Sequence, residues 1–515
     1  MINDEKIYIQ VDSDCDGYTS SALLINYLYR IFPSRVKNNI RYGLHSEKIH
    51  GIKKIPSDCT LVITPDSSSN ETEMHKKLKD QGIDTIILDH HQATLQDDPA
   101  IIVNNQMCDY ENKSLSGVGV VYKFCQVLDD IIGVSYANDF LDLVALGMVA
   151  DMMDLRSFET KYLIDCGCKK LVNPFFVEMY KRNSFIMKEK INPFTISFYI
   201  APFINAITRT GTDEEKNIIF SSMIEYEARK LVPSTKRGCK GQEELLVNQA
   251  IRTAVNVKKR QDDLNAPVLE QLSRQIEDGE FDYGILIIQL ENSVNKGLTG
   301  LLANQIMAKY SKPTLILNQK IDEETGEITW EGSGRGYLTD TVSNWREFIQ
   351  PYATFSEGHP FAFGVGFTPI QLENFKNVIK NANINFTKMY NVDYVFTNND
   401  KFDDKILEIG RYDELWGQNL EMPNIVLKSI PLTKSDIQLL GKGTLKIKIG
   451  NHKTTCIKFG GEEIYNYLIS LFQNEESKIK LTILGSCQIN EFNGVVSPQI
   501  KLIDYDVDYI DRWGF

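Results

Sequence analysis

Short runs of aliphatic and β-branched residues, each stopped by aspartate, punctuate the first third of the chain. Lys6-Ile-Tyr-Ile-Gln-Val11 alternates with a period of two and reads as a strand, and Asp12-Ser-Asp-Cys-Asp-Gly17 follows it. Three further strand-like runs end the same way: Thr60–Pro65 in Asp66, Ile86–Leu88 in Asp89-His90-His91, and Asp142–Ala150 in Asp151. Between them, Tyr18-Thr-Ser-Ser-Ala-Leu-Leu24 opens an amphipathic helix, Asn70–Asp80 reads as a polar helix, and Gly117–Leu128 reads as a second amphipathic helix. Strands alternating with helices over residues 5 to about 165 predict an α/β fold with a parallel, doubly wound sheet.

Beyond it, Leu155–Arg209 turns helical and aromatic, and Asn205 and Arg209 share one face if that segment is a helix. Glu243 to about Gln275 predicts one long helix that Pro267 kinks or restarts, and Asp278–Asp282 marks a boundary. Tyr283–Gln289 reads as a strand, Leu301–Tyr310 as a helix preceded by Gly297 and Gly300, and Thr314–Leu317 as the next strand. Ser333, Arg335 and His359 fall in glycine-flanked loops. After Asn385 come Val392–Phe396, Asn424–Ile430, Thr444–Ile449, Thr455–Phe459, Lys480–Leu484 and Gln499–Asp504, with one helix near Glu462–Phe472. That pattern predicts a small β-barrel of the OB type, with Trp513 and Phe515 packing its last strand. The expected domains are residues 1–210, connecting helices 211–277, then 278–385 and 386–515.

Open α/β sheets gather ligands at the C-terminal ends of their strands, where these runs deliver their acids. Asp12, Asp14 and Asp16, at alternate positions, repel one another unless water or a cation intervenes. A solvated acidic loop is one reading; a calcium loop is another, but Leu23 stands where such a loop carries its twelfth-position glutamate. Combined with Asp66, His90 and Asp151, the cluster becomes an oxygen-rich set with one imidazole, which suits Mn²⁺ or Mg²⁺ better than zinc. A carboxylate shared between two such ions makes a site for phosphoester hydrolysis, with Asp66 as the bridge. His91, free of metal, is placed to protonate a leaving oxygen, and Asp89 to orient a neighbouring histidine.

Asp12–Ser20, Asp66, Asp89-His-His91 and Gly147–Asp151 resemble the four motifs of the DHH phosphoesterase superfamily, and within it those of the RecJ single-strand-specific exonucleases. Leu115–Lys123 and Ala201–Arg209 are similar to further RecJ segments. Gly297–Ala303, Gly332–Arg335 and Gly358-His359 resemble the family's second domain, DHHA1. The resemblance implies a DHH domain joined by a long helix to DHHA1, then an OB-like domain. It implies two Mn²⁺ or Mg²⁺ ions and 5′-to-3′ digestion of single-stranded DNA to mononucleotides, in recombination, repair or replication. Substrate contacts would come from Asn205, Arg209, Ser333, Arg335, Gly358 and His359. The chain departs from the family pattern at Phe203, Asn295 and Glu357. The alternatives are a DHH phosphodiesterase for short oligonucleotides or cyclic dinucleotides, and a non-enzymatic replication scaffold.

Net charge of −13 does not advertise a nucleic-acid binder, although bound cations would offset part of the acidic cluster. Nine basic residues collect in one interval: Arg229, Lys230, Lys236, Arg237, Lys240, Arg252, Lys258, Lys259 and Arg260. With the resemblance, this interval becomes a wall for a single strand. Nine scattered cysteines, no apolar run of membrane length and no signal-like start point to a reduced, cytoplasmic protein. A monomer is expected, with a single-stranded-DNA-binding protein as a possible partner. The first motif near residue 12 and the altered loops point to a phage-type member.

Overall fold

The first sheet is built from β1 (Ile7–Gln10), β2 (Ile40–Gly43), β3 (Leu61–Pro65), β4 (Asp84–Asp89) and β5 (Ile101–Asn104). In this computed structural model all five strands are parallel, in the order β2-β1-β3-β4-β5. The structure describes the chain except residues 1–4, 95–96, 280–283, 291–293, 295, 323–324, 338, 340–341, 383–389, 442, 475, 493 and 511–515. The expectations for Asn295, Trp513, Phe515 and most of the 278–282 boundary therefore lie outside the described residues. Two compact units emerge, the first of residues 1–153, 159–191 and 195–388, the second of residues 154–158, 192–194 and 389–515.

Strand order reverses beside β1, so the loops after β1 and β3 open a crevice at the carboxyl edge of the sheet. The helix Cys15–Ile31 leaves that edge with Asp14 as its N-cap, the Asp14 carboxylate accepting the Gly17 N–H at 3.1 Å. One reading of the apolar pattern fails here. Residues Asp142–Ala150 are not a strand; Leu141–Ala150 is an α-helix. Its side chains are buried all round, against the helices Cys15–Ile31 and Gly117–Ile132. A helix apolar on every side loses the 3.6-residue period that would reveal it.

The long helix spans Leu246–Glu277 and continues through Pro267 without restarting. It begins later than its periodicity suggests, because Glu243–Leu245 (β7) pairs antiparallel with Leu231–Pro233 (β6) in a small two-stranded arm. Ala250, Ala254 and Val257 recur on its buried face, which packs on the helices Ala201–Thr210 and Asp213–Met223.

A second sheet follows, from β8 (Leu286–Gln289), β9 (Thr314–Ile321), β10 (Ile328–Arg335), β11 (Phe355–His359) and β12 (Ala362–Phe367). Its order is β11-β12-β10-β9-β8, with only β8 and β9 parallel. The helix Lys296–Tyr310 buries Leu302 and Ile306 against one face, and Trp345, Phe367 and Phe375 fill the other. Ser333, Arg335 and His359 thus sit on strands rather than in loops, and Gly297 and Gly300 lie inside the helix rather than before it. The glycines serve close packing. A methyl on Gly332 would fall 1.9 Å from the Ile316 carbonyl oxygen, and one on Gly334 2.4 Å from the Phe363 ring.

The second unit carries one seven-stranded sheet, from β13 (Tyr394–Thr397), β14 (Asn424–Thr433), β15 (Ile437–Leu440), β16 (Thr444–Lys448), β17 (Thr455–Lys458), β18 (Lys478–Phe492) and β19 (Val495–Ile510). Its order is β13-β14-β18-β19-β17-β16-β15. Phe396 at one edge and Ile437 at the other join the same core, so the sheet curls round on itself in an OB-like manner. Register shifts between Leu427 and Ile430 of β14, and at Ile503 of β19 opposite Leu484/Gly485 of β18, mark breaks in the ladder where strands bend. The last two strands are far longer than their alternation suggested.

Candidate metal centre

Four short stretches converge at the carboxyl edge of the first sheet. Asp12 and Asp16 flank the helix cap Asp14, Asp66 follows β3, Asp89 ends β4 with His90 and His91 behind it, and Asp151 caps the helix Leu141–Ala150. Three groups of potential ligand atoms each lie within 4.8 Å of one another: Asp66/His90/His91, Asp16/His90/Asp151, and Asp12/Asp14/Asp66. Asp66 and His90 each belong to two groups. His90 Nε2 lies 3.2 Å from Asp66 Oδ1 and 3.4 Å from Asp151 Oδ2.

The surrounding backbone makes room for these carboxylates. A methyl on Gly17 would fall 2.5 Å from Asp12 Cβ, one on Gly117 2.4 Å from Asp66 Oδ1, and one on Gly147 2.4 Å from Asp16 Oδ1. Gly117 therefore owes its identity to a carboxylate pressed against the helix start. Asp66 itself is held at φ 70°, a left-handed conformation uncommon for a buried non-glycine residue, with its N–H donating to the Leu88 carbonyl at 2.7 Å. Asp16 Oδ1 is fixed by the Ser116 hydroxyl at 3.0 Å and the Val118 N–H at 3.2 Å.

What remains is an excess of buried negative charge. Asp16 Oδ2, Asp66 Oδ1 and Asp151 Oδ2 are buried and, among the described residues, accept no hydrogen bond. Burial, then the Asp14 charge, push Asp16 up to about 6. Burial and the neighbouring carboxylates drive Asp66 and Asp151 well above the usual carboxylate range. Burial, then His91, lower His90 to about 4, keeping its imidazole neutral and able to donate a lone pair. Unpartnered buried oxygens beside a neutral imidazole fit hard divalent cations of the Mn²⁺ or Mg²⁺ kind.

Asp89 plays a different part. Its Oδ1 accepts the His90 N–H at 2.7 Å, the His91 N–H at 3.1 Å and His91 Nδ1 at 2.8 Å, while Oδ2 accepts the Ser69 N–H at 3.1 Å. Burial alone would raise its pKa, but these donors and the two imidazoles hold it below the usual range. Burial likewise pulls His91 down, and Asp89 more than offsets this, lifting it to about 9. The Asp89 carboxylate thus favours the charged form of His91.

Two residues had no motif to announce them. Both Asp12 oxygens face His50 Nδ1, at 3.0 and 2.8 Å, and the His50 ring lies 6.5 Å from that of His91. Lys48 responds to Asp14 and Asp12 on one side and to Arg209 and Arg335 on the other; desolvation, then Arg209, lower its pKa. With seven histidines in the chain, His50 could have been singled out by scarcity alone.

The second sheet brings Arg335 within electrostatic reach of Arg209 on the helix Ala201–Thr210. Burial, then Arg209, lower Arg335 to about 10; burial lowers Arg209, against the opposing pull of Asp14. The Arg335 guanidinium donates to the Gly334 carbonyl at 2.7 Å, and a methyl on Gly300 would fall 2.7 Å from it. Ser333 Oγ is 2.9 Å from Thr299 Oγ1. His359 is lowered by burial, then by the charges of His91, Arg346 and Arg335. Gly358 takes φ 122°, and its carbonyl accepts from Arg346 at 3.2 Å. Asn205 shares the partly exposed face of its helix with Arg209, Phe203 is partly exposed elsewhere on the same helix, and Glu357 is exposed on β11. The basic interval 229–260 divides: Lys230 pairs with Glu227, Arg252 with Glu244, Lys258 with Asp262 and Arg260 with Glu215.

The DHH family N-terminal domain matches residues 6–148, and the RecJ OB domain matches residues 395–504. YorK of the SPbeta prophage in Bacillus subtilis (strain 168), named as a putative single-strand DNA-specific exonuclease, is 33% identical over 98% of this chain and 88% of its own length. The single-stranded-DNA-specific exonuclease RecJ of the same organism is 24% identical over 97% of this chain and 61% of its own. The chain belongs to the RecJ-like family of DHH proteins. The same fold occurs in RecJ from Thermus thermophilus in complex with Mn²⁺, with a TM-score of 0.73 at 16% identity, covering 98% of this chain and 69% of that one. A Mg²⁺ complex of that protein aligns with a TM-score of 0.68. Among the described residues, no helix is long and apolar enough to cross a membrane.

Proposed function

We propose that the protein is a metal-dependent hydrolase that removes nucleotides from single-stranded DNA. The observation that carries this reading is the pair of ligand groups Asp12/Asp14/Asp66 and Asp16/His90/Asp151, brought side by side where His90 Nε2 lies 3.2 Å from Asp66 Oδ1. Asp12, Asp14, Asp16, Asp66, His90 and Asp151 would hold two Mn²⁺ or Mg²⁺ ions. When bound, such ions lower the pKa of a coordinated water and polarise a phosphate.

The chain's own groups do the rest. His91, held protonated by Asp89, stabilises charge on the departing oxygen and returns a proton to it. Arg209, Arg335, Ser333, Asn205, Gly358 and His359 grip the phosphates opposite the acids. The lowered pKa of His359 favours a neutral imidazole there, which donates a hydrogen bond without full charge.

The family relationship supports 5′-to-3′ digestion with release of mononucleotides, by a monomer that meets a single-stranded-DNA-binding protein on the strand. Digestion of 5′-labelled and 3′-labelled single strands with Mn²⁺ tests this. Labelled mononucleotide should appear at once from the 5′ label and only late from the 3′ label. The reverse order would sink the assigned direction, and cleavage of dinucleotides alone would move the protein to the short-substrate phosphodiesterases.

A further inference from the structure

The structure assigns a phosphate-docking role, separate from the metal centre, to the tip of the β6–β7 arm; this rests on the single-strand reading above. The arm holds three strand residues a side, Leu231 opposite Leu245, Val232 opposite Glu244 and Pro233 opposite Glu243. A hairpin this short is marginal alone, yet this one is braced at its base. Arg252 from the long helix forks onto both Glu244 oxygens at 2.6 Å and reaches Thr235 Oγ1 at 3.0 Å, while Gln249 contacts the same hydroxyl at 3.4 Å.

Beyond the brace, the chain makes two consecutive tight turns. The Cys239 N–H donates to the Lys236 carbonyl at 3.1 Å, and the Gln242 N–H donates to the Cys239 carbonyl at 3.0 Å. The third position of each turn is a glycine in the left-handed region, Gly238 at φ 83° and Gly241 at φ 84°. Arg237 and Lys240 therefore occupy the same corner of successive turns, and Lys236 opens the first. All three lie toward solvent, and among the described residues no ion pair forms to any of them, whereas Lys230, Arg252, Lys258 and Arg260 nearby are each spent on a carboxylate.

An acidic protein has carboxylates to spare for such a cluster. A rigidly mounted tip with three uncompensated cations, on a chain of net charge −13, is complementary to an anion supplied from outside. The spacing along two turns suits successive phosphates of a flexible strand better than one compact anion, and the tip carries no aromatic side chain on which a base could stack. The tip would hold the single strand outside the metal centre, without sequence preference, and retain long substrates between cuts.

The test is binding of fluorescent thymidine homopolymers, one long and one short, to the full-length Asp66→Asn chain, with and without Lys236→Ala/Arg237→Ala/Lys240→Ala. Loss of three phosphate contacts should reduce the salt slope for the long strand by about 2, and its affinity at moderate salt by about ten-fold or more. The short strand should change by less than about two-fold. A charge-reversed triple (Lys236→Glu/Arg237→Glu/Lys240→Glu) should weaken the long strand further, and unaltered thermal unfolding of either variant excludes a folding defect. Unchanged affinity and slope on the long strand would overturn the assignment alone. A parent chain that does not hold the strand at all would overturn the functional reading and this inference with it. Loss of poly-glutamate binding with retained strand binding would give the tip to an acidic protein partner instead.

Discussion

Asp89 Oδ1 sits 2.8 Å from His91 Nδ1 while also accepting the backbone N–H groups of His90 and His91. One carboxylate thus fixes the ring of one histidine and the backbone of both. His90 Nε2 is left to face Asp66 and Asp151, while His91 is tied through Nδ1 to Asp89.

Replacing Asp89 by Asn keeps the volume but loses the charge and one of the acceptor oxygens. Single-strand hydrolysis in Asp89→Asn should fall about 10–100-fold, as for other outer partners of metal sites. Steady-state rates at saturating Mn²⁺ check this; an unimpaired rate would show that His91 needs no such anchor.

Buried carboxylates that repel one another cost stability until a cation joins them. Adding Mn²⁺ to chelator-treated protein should raise its melting temperature; a concentration of about 100 times Kd corresponds to about 2.7 kcal/mol. Asp66→Asn should melt higher than the chelated wild type, since it relieves repulsion and Asn accepts the left-handed φ of 70°, and should lose the Mn²⁺ response. Calorimetry on the two proteins, with and without metal, reads both effects.

Gly117→Ala and Gly147→Ala test the space left for carboxylates. Each added methyl would fall 2.4 Å from an aspartate oxygen, so the acid or the helix must shift. Both variants should stay folded by circular dichroism and lose about 100-fold or more in activity, since misplacement by about 1 Å costs that much.

In the second unit, Asp403 accepts from the Lys453 N–H, the Thr454 N–H and the Thr454 hydroxyl at 3.0, 3.0 and 2.5 Å. Burial raises its pKa, but these donors outweigh burial and hold it below the usual range. Its contribution is therefore complete above the unfolded value of about 3.9 and fades as pH falls through the lower folded one. Asp403→Asn should cost about 1–3 kcal/mol at neutral pH and progressively less in acid. Urea unfolding across pH measures both; a penalty that grew in acid would contradict the sign.

Much of the centre was legible because its residues sit in tight local patterns. The Asp12-x-Asp14-x-Asp16-Gly17 spacing carries both an N-cap and two flanking acids, and Asp89-His90-His91 ends a strand as its aliphatic run suggests. Asp151 was found through the wrong element, since a helix buried on every side leaves no periodicity to read. The Ser333 and Arg335 strand was hidden because its glycines suit a loop as well as a crowded sheet, and only the distance to Ile316 and Phe363 decides between them. His50 and Lys48 went unseen for a third reason. His50 is placed by its contact with Asp12, and Lys48 by the charges of Asp12, Asp14, Arg209 and Arg335, most of them far off in sequence and none marked by a motif around His50 or Lys48.

Metal-dependent cleavage of single strands is tested most directly by Mn²⁺-dependent hydrolysis of single-stranded and duplex DNA by the wild type and by Asp66→Asn. Expected are rapid loss of the single strand, little loss of the duplex, no reaction in chelator, and at least about a hundred-fold loss in the variant, which removes a buried carboxylate from the candidate metal centre. Equal cleavage by Asp66→Asn, or cleavage that persists in chelator, would contradict this expectation.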